Sequence, residues 1–265
     1  MSVPVAVTIA GSDSGGGAGI QADLKTFSAL GVYGASVIAA LTAQNSKGVS
    51  AIHEVPREFV AAQIDAVFSD LPVGAVKVGM LANAAVIEAV AAGLVHWQQK
   101  NIVLDPVMLA TSGARLLPTR ALDVLRRVLV PCAIVITPNL PEAAELLDCP
   151  PAVNETEMRD QAIRLLALGA KAVLIKGGHG RGPESADLLV DATHMVRFAA
   201  ARIATENRHG TGCTLSSAIA AGLAKGRNLH DAVREAKDYM TSAIAAADRL
   251  QLGSRGPVHH FHKWW

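Results

Sequence analysis

Short apolar segments alternate with longer amphipathic ones along almost the whole chain. The short segments have the length of buried strands, and the longer ones repeat apolar positions with the period of a helix. The pattern predicts strands at 5–10, 36–42, 75–79, 102–105, 133–137 and 172–176. It predicts helices at 20–30, 58–70, 84–94, 120–130, 141–147, 155–168, 214–225 and 229–248. Two further segments, 187–190 and 194–198, resemble a hairpin at a sheet edge.

The regular order of strand and helix predicts the fold class. Strands that are joined through helices by short connections form a mostly parallel sheet with helices on both faces. The chain shows no internal repeat, low-complexity tract or Pro/Ser-rich linker. We therefore expect an α/β protein in which residues 1–265 form a single domain.

Composition narrows the class of partner. Apolar residues make up 51% of the 265 residues, and 24 basic residues are nearly balanced by 23 acidic ones. Balanced charge and only 4% aromatic residues argue against nucleic acid and against an anionic membrane as partners. No segment approaches the roughly 18 apolar residues of a membrane span, and the first apolar segment is typical of a strand, not of a signal peptide. We expect a soluble cytoplasmic protein.

Cysteines and histidines give no sign of a disulfide framework or a zinc site. Cys132, Cys149 and Cys213 are widely spaced and form no Cys-x-x-Cys pair. The histidines have no zinc-binding spacing, and the His-rich segment 259–262 looks like a polar tail. Zinc catalysis is therefore disfavoured.

Glycine and polar residues follow most of the predicted strands. In an open parallel sheet, ligands bind beyond the carboxyl ends of the strands. The residues at those ends are 11–19, Gln44, Met80, Asp105, 137–142 and 176–180. The pattern predicts that they line one cleft, with the glycine-rich segment 177–183 as a candidate flap.

The run Gly210-Thr211-Gly212-Cys213 carries the strongest chemical signal. It leads a loop into a predicted helix, where unpaired N–H groups and the helix dipole favour an anion. The same position predicts a lowered pKa for the Cys213 thiol. Such a site suits phosphoryl transfer. The alternative is a tight turn before a helix, with a buried and inert cysteine.

Four further residues suit a phosphate site. Lys176 ends an apolar strand, where its charge either meets an anion such as a phosphate oxygen or reaches solvent. Asp105 also ends a strand and is suited to hold Mg²⁺ directly or through water, although Asp before Pro is common in turns. Asn139 and Glu142 fit a capping box, and are equally suited to a Mg²⁺–phosphate water network.

Gln44 is a candidate for recognising an aromatic ring through hydrogen bonds. Its amide presents a donor and an acceptor side by side, the complement of a 4-aminopyrimidine edge, although an ordinary loop amide is the alternative. Asp23 follows the glycine-rich turn in the first predicted helix. It is as well explained by a charge exposed to solvent as by a role in the site. The glycines of 11–19 lack the dinucleotide spacing and no GK[ST] follows, which disfavours a dinucleotide-dependent dehydrogenase.

Taken in order, these motifs resemble those of the ribokinase-like superfamily, and more narrowly those of the bacterial hydroxymethylpyrimidine/phosphomethylpyrimidine kinases of thiamine biosynthesis. The matching stretches are 9–25, 41–45, 76–80, 104–107, 137–142, 175–179 and 209–214. The resemblance implies a three-layer α/β/α sandwich with a central, mostly parallel sheet. It implies ATP-dependent phosphorylation of 4-amino-5-hydroxymethyl-2-methylpyrimidine and then of its monophosphate, with Mg²⁺ as cofactor, in a homodimer.

The resemblance also implies roles for individual residues. The acceptor pocket is expected to include Gln44, Gly11, Asp23, Met80 and Val107. The residues expected to organise Mg²⁺ and the ATP phosphates are Asp105, Asn139, Glu142 and Lys176, with Asp105 and Glu142 holding the ion through water. The anion hole is expected to consist of Gly210, Thr211, Gly212 and Cys213.

Three points stay open at this stage. Sugar-type members of the superfamily carry a catalytic Asp at the position of Cys213, so the thiol is only a candidate base. A pyridoxine or pyridoxal kinase, or a dual-specificity enzyme, performs the same chemistry on another hydroxymethyl ring. A non-catalytic sensor on the same fold is disfavoured by the complete set Asp105, Asn139, Glu142, Lys176 and Cys213.

Overall fold

The computed structural model describes residues 2–109, 115–180 and 182–265, and only the backbone of His179. Within these ranges nine strands form one sheet in the order β3-β2-β1-β4-β5-β6-β7-β8-β9. They are β1 (Val5–Asp13), β2 (Tyr33–Asn45), β3 (Gly48–Glu54), β4 (Val73–Val78), β5 (Ile102–Leu104), β6 (Val135–Ile136), β7 (Ala172–Ile175), β8 (Glu184–Asp191) and β9 (Met195–Ala201). The pairs from β2 to β7 are parallel, whereas β3, β8 and β9 pair antiparallel to their neighbours.

Helices cover both faces of the sheet. They are α1 (Gly19–Ala29), α2 (Arg57–Phe68), α3 (Ala84–His96), α4 (Thr119–Val124), α5 (Leu140–Leu147), α6 (Glu155–Leu166), α7 (Thr211–Ala224) and α8 (Leu229–Ala245). One apolar core lies between the sheet and α2 to α6, and the other between the sheet and α1, α7 and α8. Ile102 and Leu104 enter the first core and Val103 the second, because side chains alternate across a strand. The predicted α/β/α sandwich is confirmed.

The structure adds one strand and extends several others, of which β1 and β2 bear on the cleft. β3 was not predicted, because it pairs at the sheet edge with mostly exposed side chains and so shows no apolar alternation. β1 and β2 run on to Asp13 and Asn45, side by side in parallel as far as Asp13 and Thr42. Gln44 therefore lies in a strand and not in a loop.

The segment around residues 256–260 is not the polar tail that its histidines suggested. His209 donates its backbone N–H to Gly256 O and accepts from the N–H of Val258, so this segment runs beside His209. Val258, His259 and His260 are buried, and burial lowers the pKa of His260 to about 3. The prediction was wrong because apolar contact with α7 and α8 is invisible in the local sequence.

None of the described helices combines the length and the apolar character that crossing a bilayer requires.

Candidate active site

The carboxyl ends of the parallel strands open into one cleft of about 510 Å³. The predicted site residues that line it are Gly11, Gln44, Met80, Asp105, Val107, Asn139, Glu142, Lys176, Gly210, Thr211, Gly212 and Cys213. Of the sequence-predicted set, Asp23 does not line this cleft. Most of these residues meet because they lie at or just after the carboxyl ends of strands of the same sheet, whereas Gly210 to Cys213 open helix α7. Within the candidate flap 177–183, Arg181 and the side chain of His179 lie outside the described residues.

The start of α7 forms one wall of the cleft. Gly210 caps the helix in the left-handed region, with φ at 82°. A Cβ there would lie 1.8 Å from Gly17 O, so only glycine fits. Thr211 donates its N–H to Arg208 O, whereas the N–H groups of Gly212 and Cys213 lie in the first helical turn, where the helix itself supplies no acceptor. This geometry suits an anion.

Lys176 meets two carboxylates beside that helix start. Its Nζ lies 2.7 Å from Asp105 Oδ1 and 3.8 Å from Glu142 Oε2. A Cβ at Gly212 would lie 3.3 Å from the same Nζ, so the ammonium group faces the first turn of α7. Thr137 Oγ1 also donates to Asp105 Oδ1 at 3.1 Å. Positive and negative groups therefore converge at one end of the cleft.

Glu142 is held by the predicted capping box. Its backbone N–H donates to Asn139 Oδ1 at 2.9 Å, and its Oε2 accepts from the N–H of Asn139 at 2.8 Å. Burial raises the pKa of Glu142 to about 7; Lys176 opposes the rise and Asp105 adds to it. A carboxyl in this position gains from an added cation.

The donor set fits Mg²⁺. The ion prefers carboxylate oxygens and retained waters. Asp105 and Glu142 supply two carboxylates on one wall, beside Lys176 and the anion-binding amides. The buried Glu142 carboxyl, with its raised pKa, is the side chain whose ionised form a cation stabilises most directly. Asp105 and Glu142 are therefore the residues that would hold the ion.

The expected lowering of the pKa of the Cys213 thiol was wrong. Burial raises the pKa of its thiol to about 11, and the nearby Lys77 ammonium and a hydrogen bond from Gly19 N–H only partly oppose it. The carboxylates of Asp23 and Asp105 raise it further. The helix terminus favours a thiolate, but desolvation outweighs it at this depth.

Asp23 belongs to a buried polar cluster and not to the acceptor pocket. Its Oδ2 accepts from Lys77 Nζ at 2.8 Å and from Thr8 Oγ1 at 2.6 Å, and its Oδ1 accepts from Ser217 Oγ at 2.6 Å. The side chains of Asp23 and Lys77 have no exposed surface. This cluster joins β1, α1, β4 and α7 beneath the cleft. The expected place of Asp23 in the acceptor pocket was wrong, because its side chain has no exposed surface and bonds to protein groups.

The other end of the cleft is mostly apolar. A Cβ on Gly11 would lie 2.8 Å from Met80 Sδ, so the glycine lets the methionine pack against the backbone of β1. Val107 packs against a small separate apolar cluster that Met80 forms with Ala40 and Ala82. Gln44 is fixed through Ser14, whose hydroxyl accepts from Gln44 N–H and donates to Gln44 O, both at 2.8 Å. A flat ring with one polar edge fits such a pocket.

Asp13 and His209 also line this end and were not predicted. Asp13 accepts hydrogen bonds from the N–H groups of Gly15, Gly17 and Ala18, and from His209 Nε2 at 2.9 Å. Burial opposes ionisation of Asp13, but the hydrogen bonds, that of His209 first, leave its pKa lowered. The sequence shows Asp13 as an ordinary turn residue, because its partner His209 lies 196 positions away.

One histidine cluster lies elsewhere. Ligand atoms of Asp191, His194 and His230 lie within 4.8 Å of one another, an arrangement that sequence spacing did not reveal. Asp191 pairs with Ala172, the first residue of β7, and so lies at the end of the sheet opposite the cleft. The Asp191 carboxylate already accepts from His230 Nε2 and from the N–H groups of Thr193 and His194. The cluster is not part of the candidate active site.

Comparison with known proteins identifies the family. The family model described as phosphomethylpyrimidine kinase matches residues 13–259. The chain belongs to this family. It is 59% identical over 262 residues to the hydroxymethylpyrimidine/phosphomethylpyrimidine kinase of Rhizobium meliloti (strain 1021), with 98% of each chain covered. The phosphomethylpyrimidine kinase family thus accounts for nearly the whole chain, and the predicted kinase is confirmed.

Solved structures agree with this family and fold. A crystal structure of phosphomethylpyrimidine kinase from Clostridium difficile 630 is 44% identical, with a TM-score of 0.81, covering 92% of this chain and 100% of the other. The ADP complex of Bacillus subtilis pyridoxal kinase is 37% identical, with a TM-score of 0.91 and 98% of each chain covered. Phosphomethylpyrimidine kinases and this pyridoxal kinase share the fold, so ring specificity must come from individual cleft residues.

Proposed function

We propose that this chain transfers the γ-phosphoryl group of Mg·ATP to 4-amino-5-hydroxymethyl-2-methylpyrimidine, and then a second phosphoryl group to the monophosphate in the same cleft. One observation carries the proposal. The cleft joins an apolar pocket with the Gln44 amide at one end to Lys176 and the amides of α7 at the other. The named activity of the similar Rhizobium meliloti enzyme supports it.

The residues divide the work between holding the ring and stabilising charge. Met80 and Val107 contact the faces of the ring, and Gln44 pairs with its amino edge. Lys176 and the N–H groups of Gly212 and Cys213 stabilise charge on the transferred phosphoryl oxygens. Asp105 and Glu142 would hold Mg²⁺, which would neutralise part of the charge on the ATP phosphates.

Removal of the proton from the substrate hydroxyl group does not require Cys213 to be ionised beforehand. With its pKa raised to about 11, Cys213 is a neutral thiol at pH 7 and a poor base in the resting enzyme. Phosphoryl transfer depends mainly on positioning and charge stabilisation, and the proton leaves late in a loose transition state. We assign Cys213 to the wall of the phosphate site, where its backbone N–H matters more than its sulfur.

The deciding experiment is mass spectrometry of the products formed from Mg·ATP and the aminopyrimidine alcohol. We expect the monophosphate first and the diphosphate later, and both to form far more slowly with Lys176→Met. A time course that stops at the monophosphate would overturn the second step. Absence of any phosphorylated pyrimidine would overturn the proposal and favour a binding protein on the same fold.

A second activity, on pyridoxal, has a specific observation in its favour. The likeness to Bacillus subtilis pyridoxal kinase covers 98% of both chains at a TM-score of 0.91. Side-by-side kcat/KM values for the aminopyrimidine alcohol and pyridoxal measure the balance. We expect the pyrimidine to be preferred, and Gln44→Ala to reduce that preference at least tenfold.

Assembly and location are also proposals. The homodimer rests on the family resemblance, and sedimentation equilibrium at micromolar concentration tests it; a mass near the monomer's 27.5 kDa would contradict it. The cytoplasm as the place of action rests on the balanced composition, and fractionation with an antibody to the chain tests it.

A further inference from the structure

His209 stands between Asp13 and Gln44 at the acceptor end of the cleft. Its Nε2 lies 2.9 Å from Asp13 Oδ2 and 3.4 Å from Gln44 Nε2. The Asp13 carboxylate is also the acceptor for three backbone N–H groups, so it is ionised and able only to accept. His209 Nε2 must therefore carry a proton and donate it to Asp13.

That proton makes it unfavourable for the Gln44 amide to turn its NH₂ group toward His209. A protonated Nε2 on His209 has no lone pair for the Gln44 NH₂ group, so two donors face each other. On the other side, Thr42 Oγ1 lies 3.2 Å from Gln44 Oε1 but already donates its only proton to Ser12 O at 2.8 Å. Here two acceptors face each other.

Turning the terminal amide by 180° resolves both contacts. Oε1 and Nε2 exchange places, and since they are nearly the same size, no other atom has to move. Oε1 then accepts from His209 Nε2, which shares its proton with Asp13. Gln44 Nε2 then donates to the free lone pair of Thr42 Oγ1. We propose that His209, fixed by Asp13, is a positioning residue that sets this orientation of Gln44 and so fixes which way the acceptor ring lies.

The orientation dictates the pose of the ring, and this step rests on the proposed function. In the substrate, the amino group stands between a ring nitrogen on one side and the hydroxymethyl group on the other. Its amino group donates to Gln44 Oε1, on the side of His209, and its ring nitrogen accepts from Gln44 Nε2, on the side of Thr42. The hydroxymethyl group then lies beyond the amino group, on the His209 side.

His209 directly precedes the anion-binding turn. Gly210 follows it and caps α7. A ring placed with its hydroxymethyl group on the His209 side therefore presents the reacting oxygen toward Gly210 and Gly212. The opposite amide orientation would turn that oxygen away, toward Thr42. Pyridoxal has no amino group beside its hydroxymethyl group, so its pose does not depend on this contact.

The test removes and restores the Nε2 proton. His209→Leu deletes the donor, and His209→Gln returns an N–H near the same place. The matched control is His96→Leu, at an exposed histidine that ends α3. Each variant is assayed with the aminopyrimidine alcohol, with the analogue that lacks the amino group, and with pyridoxal, and its melting temperature is recorded.

We expect His209→Leu to raise KM for the aminopyrimidine alcohol about tenfold or more, with KM for ATP and kcat/KM for pyridoxal within about threefold of the parent. His209→Gln should recover most of the loss, and His96→Leu should show none. Because His209 acts through Gln44, adding His209→Leu to Gln44→Ala should change KM less than twofold.

Additive effects of the two substitutions would overturn the proposal, as would equal losses for the amino and des-amino alcohols. Failure of the parent enzyme to phosphorylate either alcohol is a different result, which refutes the proposed function. If His209→Leu does not fold, Thr42→Val supplies the second test, because it frees the other side of the amide. An unchanged preference for the amino substrate in that variant would also contradict the proposal.

Discussion

Two lysine–aspartate pairs lie close together, one beneath the cleft and one beside it. Only the second has side-chain surface exposed to solvent. Lys77 meets Asp23 at 2.8 Å, and Lys176 meets Asp105 at 2.7 Å. The first pair has no exposed side-chain surface, whereas the Lys176 side chain is 12% exposed. The residue types are the same and the distances nearly so, and therefore the pair chemistry alone does not distinguish the two.

The difference lies in what surrounds each pair. Hydroxyl groups of Thr8 and Ser217 complete the coordination of Asp23, and the cluster is closed. A third ionisable group, the Glu142 carboxyl, lies 3.8 Å from Lys176, so the second group has one negative charge in excess whenever Glu142 is ionised. We infer that the closed pair, Lys77 and Asp23, stabilises the fold. The pair beside the cleft, Lys176 and Asp105 with Glu142, is suited to bind a charged ligand.

Breaking the closed pair should have the largest effect. Lys77→Met leaves the Asp23 carboxyl buried without its cation, so we expect a loss of about 3–5 kcal/mol in the free energy of unfolding. Urea unfolding followed by circular dichroism measures it. Asp23→Asn added to Lys77→Met should return part of the loss, because a neutral amide needs no counter-charge. A Lys77→Met variant with the stability of the parent would show that the pair is not structural.

Breaking the open pair should change catalysis instead. Lys176→Met removes one stabilising charge from the transferred phosphoryl group, and we expect kcat/KM to fall about 10²–10³-fold. The unfolding free energy should stay within about 1 kcal/mol, because water reaches the site from the cleft. Steady-state assays and urea unfolding of the same preparation give both values. Equal losses of stability in Lys77→Met and Lys176→Met would erase the contrast.

The excess charge on the open pair should appear as a pH dependence. The pKa of Glu142 is raised from 4.5 to about 7, so the folded state holds a proton that the unfolded state has lost. Its contribution to stability is complete below pH 4.5 and is lost as the pH rises through 7, by at most about 1.4 kcal/mol per pH unit. Glu142→Gln should remove this slope from unfolding measured without ATP and Mg²⁺. Exposed Glu88→Gln, on α3, should keep it.

The smallest effect should come from the sulfur that lies near both pairs. Since burial raises the pKa of Cys213 to about 11, Cys213→Ala should retain kcat within about fivefold. A general base typically contributes 10²–10⁴-fold. Single-turnover rates with saturating Mg·ATP measure the difference. A loss of more than about 100-fold would restore the thiol as the base.

Much of the architecture follows from local pattern. The buried parallel strands show as apolar runs, and the cleft follows because polar residues come after them. β3 does not show, because an exposed edge strand lacks a buried face. Asn139 and Glu142 lie within one helical turn, so their capping box could be predicted from spacing alone.

The charges inside the fold could not be predicted in the same way. In the sequence, Lys77 is an unexplained charge within an apolar strand. Its partner Asp23 is 54 positions away in the chain and contacts it only in the folded structure. Cys213 was assigned the wrong direction of pKa shift, because the helix terminus is visible in sequence and the depth of burial is not. Asp13 ends β1 and His209 directly precedes α7, so their contact spans 196 positions and shows in no local pattern.

The pairing of His209 with residues 256–258 also connects the cleft to a fluorescent part of the chain. Two of the chain's three tryptophans, Trp264 and Trp265, follow that segment and are largely exposed. Trp265 lies against His259, with ring centroids 4.7 Å apart. We therefore expect the intrinsic fluorescence of these indoles, with Trp97 replaced by Phe, to change when a bound ligand shifts His209.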